Sequence, residues 1–341
     1  MDENRELDMI AVEPTVQENT AKAKKSYTRV AFALFAMAAI TIALQVLLGY
    51  FYGRMLANGF EAGSWLLWLI NFLPLYAIAL PVTLWILCKL PRGEGEPERL
   101  GVGKFLLILV MCFPVMYIGN LIGTALSGLL SGGSAVNGLE ELAMDDSWLR
   151  IPVMVIFAPL VEEYVFRKQL IDRTARFGEK QAILFSGLTF GLFHMNLFQF
   201  FYAFGLGLIF AYVYTRTRRL RYTVALHMII NFLGSVVAPA LAQKSGFLEN
   251  GGEIAADMSG DQLLFTMLLA LYGLLMIGLS IAGIVLLIIH AKKLRFVPAA
   301  EEMPKEKSFS TVYLNLGMLL FVLLCLAVFV LQLVDVSALL S

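Results

Sequence analysis

Apolar residues dominate the chain in nine runs, separated by short polar or basic stretches. Val30–Phe51, Trp65–Leu87 and Phe105–Leu130 come first. Trp148–Leu170 follows a polar loop, Ser131–Ser147, that carries Glu140, Glu141, Asp145 and Asp146. Gln181–Met195 and Phe198–Thr215 are joined by a very short turn, and Tyr222–Leu241 is next. A second, mostly acidic loop precedes Leu263–His290 and Val312–Val334. Runs of roughly 18 or more apolar residues predict helices that span a bilayer. The expected fold is all-α: a polytopic integral membrane protein of about nine transmembrane or re-entrant helices. Four segments are expected: a disordered cytosolic tail over 1–28, N-terminal membrane helices and an outer loop over 29–147, a helical core over 148–242, and C-terminal membrane helices over 243–341.

Composition agrees. The 341 residues are 59% hydrophobic and 15% charged, with a mean hydropathy of +0.76. A soluble domain carries about 25% charged residues. Net charge is zero, which gives no bulk attraction to nucleic acid. The partners implied are the bilayer and whatever membrane-associated peptide or protein the core acts on. Cys88, Cys112 and Cys325 lie in apolar runs without metal-ligand spacing and read as small buried hydrophobes. Gly119, Gly123 and Ser127 form one small-residue stripe, and Ala203, Gly207 and Ala211 another. Such stripes let helices approach closely.

The positions of the charges set the topology. Of the 26 Lys and Arg, all but Arg54, Arg150, Arg167 and Lys244 fall in the N-terminal stretch or in alternate connections. Basic connections stay in the cytosol. The N-terminus is therefore inside, and the protein is expected in the cell membrane as a multi-pass chain.

One run is anomalous. Glu162, Glu163 and Arg167 sit within Trp148–Leu170, and ionisable groups at membrane depth are costly and functional by default. Successive helical residues turn by about 100°, so the two carboxylates cannot share a face. Glu163 and Arg167 are four apart, the spacing of an acid–base pair, and are expected to form a self-contained one. Glu162 is left over. The chain has three histidines. His290 lies at the inner end of its run, but His194 and His227 closely follow the carboxylate element. Asn231, four residues after His227, points the same way. A glutamate, two histidines and an asparagine in a low dielectric suit hydrolysis. Glu162 would take a proton from water; a histidine would position that water or pass a proton to the leaving amine. His227 and Asn231 would donate to an oxyanion. Glu162, His194 and His227 would equally serve as two imidazoles and a carboxylate around a divalent metal such as zinc. There is no His-Glu-x-x-His, and spacing does not separate metal-activated from glutamate-activated water.

The motifs Glu162-Glu163-x-x-x-Arg167, Phe190-x-x-x-His194 and His227-x-x-x-Asn231 resemble those of the CPBP family. These are the CAAX proteases and bacteriocin-processing enzymes, also called abortive-infection or type II CAAX prenyl endopeptidases. The resemblance covers roughly residues 148–242. It implies an intramembrane endopeptidase acting on membrane-associated, possibly prenylated or hydrophobic, peptides or proteins. Carried over, it makes Glu162 the water-activating base with His194 beside it. It makes His227 and Asn231 the oxyanion pair, and Glu163 and Arg167 supporting residues. Two other classes remain: a proton- or ion-coupled transporter using the same groups as a relay, and a non-catalytic immunity or scaffold protein.

Depth along the runs places Glu162 and His227 nearer the cytosol, so the cavity is expected to open there. His194 fits only if its helix tilts or starts along the interface, with the turn at Met195–Phe198 sunk against a wet cavity.

Overall fold

In the computed structural model, residues 3–61, 63–93, 95–138, 144, 147–247 and 258–334 are described, with side chains from residue 16 onward. The acidic residues 140, 141, 145 and 146, and much of the second acidic loop, lie outside that set. The described chain is helical. It comprises α1 (Glu3–Ala57), α2 (Trp65–Cys88), α3 (Val102–Ser131), α4 (151–177), α5 (Glu179–Phe193), α6 (Leu197–Thr217), α7 (Leu220–Lys244), α8 (Gly260–Ala291), α9 (Lys305–Tyr313) and α10 (Leu316–Leu333). Seven of these are long and apolar enough to cross a membrane: α1–α3, α6–α8 and α10. Two more complete the bundle. α4 carries the charged run, and α5 has only 15 residues. At 1.5 Å per residue α5 is ~22 Å long, short of a hydrocarbon core of ~30 Å.

Large apolar side chains cover the outside of the bundle. Met267, Leu271, Leu274 and Ile281 on α8 are all exposed. So wide an apolar surface suits lipid rather than water. Inside, one cluster joins Tyr27, Leu34 and Met37 of α1 to Phe166 of α4, Phe185 and Phe190 of α5, and Phe321 of α10. A second joins Cys112 and Phe113 of α3 to Phe210 of α6, Leu226 of α7 and Met276 of α8. The C-terminal helices therefore pack onto the earlier ones rather than forming a separate unit.

Both small-residue stripes are spent inside the chain. A Cβ on Gly119 would lie 2.6 Å from the Tyr202 backbone, and one on Gly123 would lie 2.6 Å from the Phe198 carbonyl oxygen. Gly207 on α6 meets Gly187 on α5 in the same way, its Cβ position 3.0 Å from the Gly187 Cα. α3 and α6 thus touch backbone to backbone, which fixes α6 behind the site.

The expected disordered tail is corrected over 16–28, which continue α1. Ala23, Ser26, Tyr27 and Val30 are buried, at the i, i+3, i+4, i+7 positions of one helical face. Tyr27 meets the Phe185 ring edge-on at 5.1 Å, and the Ser26 hydroxyl donates to the Arg173 carbonyl at 2.9 Å. Lys22, Lys24 and Lys25 occupy the exposed side, which is why the stretch looked polar throughout. Cys88 is also corrected: it is exposed at the end of α2, whereas Cys112 and Cys325 are buried.

The basic segments gather at one end. Lys22 and Arg176 both approach Glu301, at 3.9 and 3.4 Å. Arg216 pairs with Glu179, and Arg219 donates to the Glu98 carbonyl at 3.1 Å. Arg54, Arg150 and Lys244 belong to helix ends or connections of the opposite face.

Candidate active site

α4 is not a regular α-helix. Ala158 N–H bonds to the Val153 carbonyl, and Leu170 N–H reaches the Val165 carbonyl. Both are five-residue steps, the wide winding of a π-helix, which recurs at functional sites. An ordinary helical piece, Ala158–Glu163, lies between the two wide segments. Continuing the five-residue register, residue 159 would bond to the Met154 carbonyl. Residue 159 is proline and has no N–H. The Asn231 side-chain amide takes that place, donating to the Met154 carbonyl at 2.9 Å. One asparagine on α7 thus repairs a bond that α4 cannot make for itself.

Glu163 and Arg167 are fully buried and form a two-pronged pair. Arg167 Nε donates to Oε2 at 2.9 Å and Nη2 to Oε1 at 3.1 Å. Arg167 Nη1 also donates to Ser186 Oγ at 3.0 Å, and that hydroxyl donates to the Phe166 carbonyl at 2.7 Å. The pair is not self-contained, contrary to the expectation from spacing. His227 Nδ1 lies 3.1 Å from Glu163 Oε1. A carboxylate flanked by arginine only accepts, so the imidazole donates through Nδ1 and turns Nε2 the other way. Nε2 is 3.8 Å from Glu162 Oε2, close enough for charge interaction and too long for a direct hydrogen bond.

His194 closes α5. Its Nδ1 is 2.8 Å from the Phe190 carbonyl, which can only accept, so Nδ1 carries the proton and Nε2 is left as an acceptor. Phe190 is the shared ring of the site. It meets His194 edge-on at 4.8 Å and His227 at 5.8 Å, and the Arg167 guanidinium lies 4.5 Å from its centre. The motif thus places an aromatic between both imidazoles and the buried cation. Ser186 was not expected here. Its signal was present in the sequence: Ser186, Phe190 and His194 follow one another at four-residue spacing along one face of α5.

Glu162, His194, His227 and Asn231 line one cavity of about 1280 Å³. Glu163 and Arg167 stand behind its wall, and Glu162, partly exposed, is the carboxylate that faces it. Met195 and Asn196 of the α5–α6 turn line it too. Met195 has a positive φ of 49°, and Asn196 caps α6 by accepting from Phe198 N–H at 2.8 Å. The non-helical turn therefore borders a cavity, as such backbone must in a membrane protein.

The cavity does not run toward the basic end. Its lining continues through Asn120 of α3 to Ser134, Asn137 and Phe247, in the connections after α3 and α7. The expected cytosolic mouth is corrected: helix depth alone did not show that the connections at the basic end cross and close it. A metal was the other open question. Among the described residues, no three His, Cys, Asp or Glu side chains are gathered closely enough to hold one. His227 is committed to Glu163 through Nδ1.

Residues 144–233 match the family described as type II CAAX prenyl endopeptidase, Rce1-like. The matched stretch contains Glu162, Glu163, Arg167, His194, His227 and Asn231. Over 155 residues the chain is 35% identical to the membrane-embedded CAAX protease MroQ of Staphylococcus aureus (strain USA300), a stretch covering 42% of this chain and 60% of that relative. No solved structure matches the chain.

Proposed function

We propose that this protein is an intramembrane endopeptidase that cleaves membrane-associated peptides or proteins with water activated by Glu162. The observation that carries the reading is the division of labour between adjacent carboxylates. Glu163 is saturated by Arg167 and His227, whereas Glu162 faces the cavity with His194, His227 and Asn231. The match to the CAAX endopeptidase family and the relative named above favour peptide-bond hydrolysis over ion coupling.

The chemistry follows from the donors present. Glu162 takes a proton from water as the oxygen attacks the scissile carbonyl carbon. His194 Nε2 accepts the water's other hydrogen and orients it. The oxyanion that forms is met by His227 Nε2–H in the imidazolium form and by the Asn231 N–H not used on Met154. With His227 protonated, Glu162, Glu163, Arg167 and His227 sum to no net charge, the arrangement that lowers the cost of charge in a poor dielectric. The C–N bond then breaks, and the leaving amine takes its proton from Glu162.

The test is turnover by purified protein in proteoliposomes, with a panel of prenylated and unmodified hydrophobic peptides. Wild-type protein is expected to cleave members of the panel and Glu162→Gln to leave them intact. Equal turnover by the two would end the glutamate-base reading. A chelator arm in the same assay reads metal dependence.

A further inference from the structure

The two ends of the bundle are built differently. At the basic end, the connection after α2 is strapped across the helix termini. Gly93 N–H bonds to the Asp172 carbonyl. Glu98 N–H reaches the Thr217 carbonyl at 2.9 Å, and Leu100 N–H reaches the Tyr222 hydroxyl at 3.1 Å. Beneath that strap, Asp172 accepts from the Tyr214 hydroxyl at 3.0 Å and from Arg218 at 3.3 Å. The connection after α8 closes the other flank. Val297 N–H bonds to Glu179 at 2.9 Å, Glu301 N–H to the Arg176 carbonyl at 3.0 Å, and Met303 N–H to the Phe177 carbonyl at 3.2 Å. None of these residues lines the cavity. At the opposite end no such strap is found among the described residues, and the lining there includes the exposed Ser134 and Val136.

The wall has a chemistry of its own. Glu162 is the one Asp, Glu, Lys or Arg among the described lining residues. Between rings and aliphatic chains it carries carboxamides, among them Gln45, Asn71, Asn120, Asn137, Gln199 and Gln332. A carboxamide both donates and accepts, as a peptide group does. The Asn137 side-chain oxygen is buried with no partner among the described residues, an acceptor suited to an incoming N–H. Among the described lining residues there is no Lys or Arg to meet a terminal carboxylate or a phosphate.

We propose that substrate reaches Glu162 from the end opposite the basic segments, which the distribution of Lys and Arg makes the outer face. The occupant is an uncharged, apolar stretch of peptide, held by its main chain and cut at an internal bond. This rests on the protease reading for the cutting; the route of access stands on the fold.

The experiment uses the whole chain in intact cells and a membrane-impermeant maleimide. Cys88, exposed at the end of α2 that joins the basic segments, is the natural reporter of that side. Gly234→Cys places a thiol in the cavity three residues beyond Asn231, where an added Cβ meets nothing within 4 Å. Ser134→Cys places one at the outer rim. Both new thiols are expected to label before permeabilisation and Cys88 only after it. An end-blocked apolar peptide is expected to slow labelling at 234, and a lysine-rich peptide of equal length is not. Labelling at 234 only after permeabilisation, or not at all, would overturn the access route. Equal slowing by both peptides, or by neither, would overturn the substrate class. Because labelling needs no turnover, an inactive protein that labels from outside would refute the protease reading and leave the route intact.

Discussion

His227 Nδ1 and Glu163 Oε1 meet at 3.1 Å although 64 residues separate them in the chain. Through this contact the buried Glu163–Arg167 pair sets the direction in which His227 presents Nε2 to the cavity. The adjacent carboxylates should therefore fail in different ways. Glu162→Gln is expected to cut turnover by ~10²–10⁴-fold, the usual worth of a positioned general base, with the thermal midpoint unchanged. Glu163→Ala leaves Arg167 buried and unpaired and is expected to cost about 3–5 kcal/mol of stability. Peptide cleavage and thermal unfolding in detergent, measured on both variants, separate the roles. An unchanged midpoint for Glu163→Ala would remove it from the framework.

Asn231 serves the backbone as well as the cavity. Asn231→Ala is expected to destabilise by about 1–3 kcal/mol, because the Met154 carbonyl loses its donor. Pro159→Ala gives α4 an N–H for the same carbonyl. In a double-mutant cycle the pair should couple by roughly 0.5–3 kcal/mol, with the double variant more stable than the sum of single effects. Turnover should stay low in the double variant, since restoring the α4 bond does not restore the oxyanion donor proposed for Asn231. Additive stability effects would refute the repair.

Packing of α3 on α6 has no room for a methyl group at Gly123, whose Cβ would sit 2.6 Å from the Phe198 carbonyl oxygen. Gly123→Ala is expected to cost about 1–3 kcal/mol by overpacking. The comparison is Gly128→Ala on the same helix, where an added Cβ meets nothing within 4 Å. Equal midpoints for the two variants would show that the helices do not approach as described.

The N-terminal stretch carries a prediction of its own. Tyr27 is fully buried against Phe185, so Tyr27→Ala is expected to cost about 3 kcal/mol or more, as for other large aromatics. Lys25→Ala, on the exposed face, should be nearly neutral. The same unfolding assay decides it; a neutral Tyr27→Ala would return residues 16–28 to the status of a tail.

Much of this was legible in the sequence, and the failures have physical reasons. The hydrophobic runs gave the spans, and the basic residues gave the end at which five segments of chain meet. The 100° step between Glu162 and Glu163 was enough to separate a cavity-facing carboxylate from a paired one. What spacing could not show was the third partner of Glu163, because helical geometry speaks only of neighbours within a turn or two. Nor could it show the Asn231 bond, which depends on α4 winding in five-residue steps just before a proline. The tail misled because average polarity hid a periodic stripe. The cavity mouth misled because depth was counted along helices, while closure of one end is made by main-chain bonds from connections whose composition gives no hint of them.

The Glu163–Arg167 pair also bears on how the chain is made. Both members lie within four residues of one another on α4, so the cation and its carboxylate enter the bilayer together, in the same turn and already neutralised. Glu162 has no such companion within α4: His194 comes with α5, and His227, whose Nε2 lies 3.8 Å from its Oε2, only with α7. The docking of α7 brings His227 to Glu162 and in the same movement supplies the missing donor to Met154. A ribosome-stalled chain ending before α7 should therefore hold α4 loosely, and one ending after it should hold α4 fast.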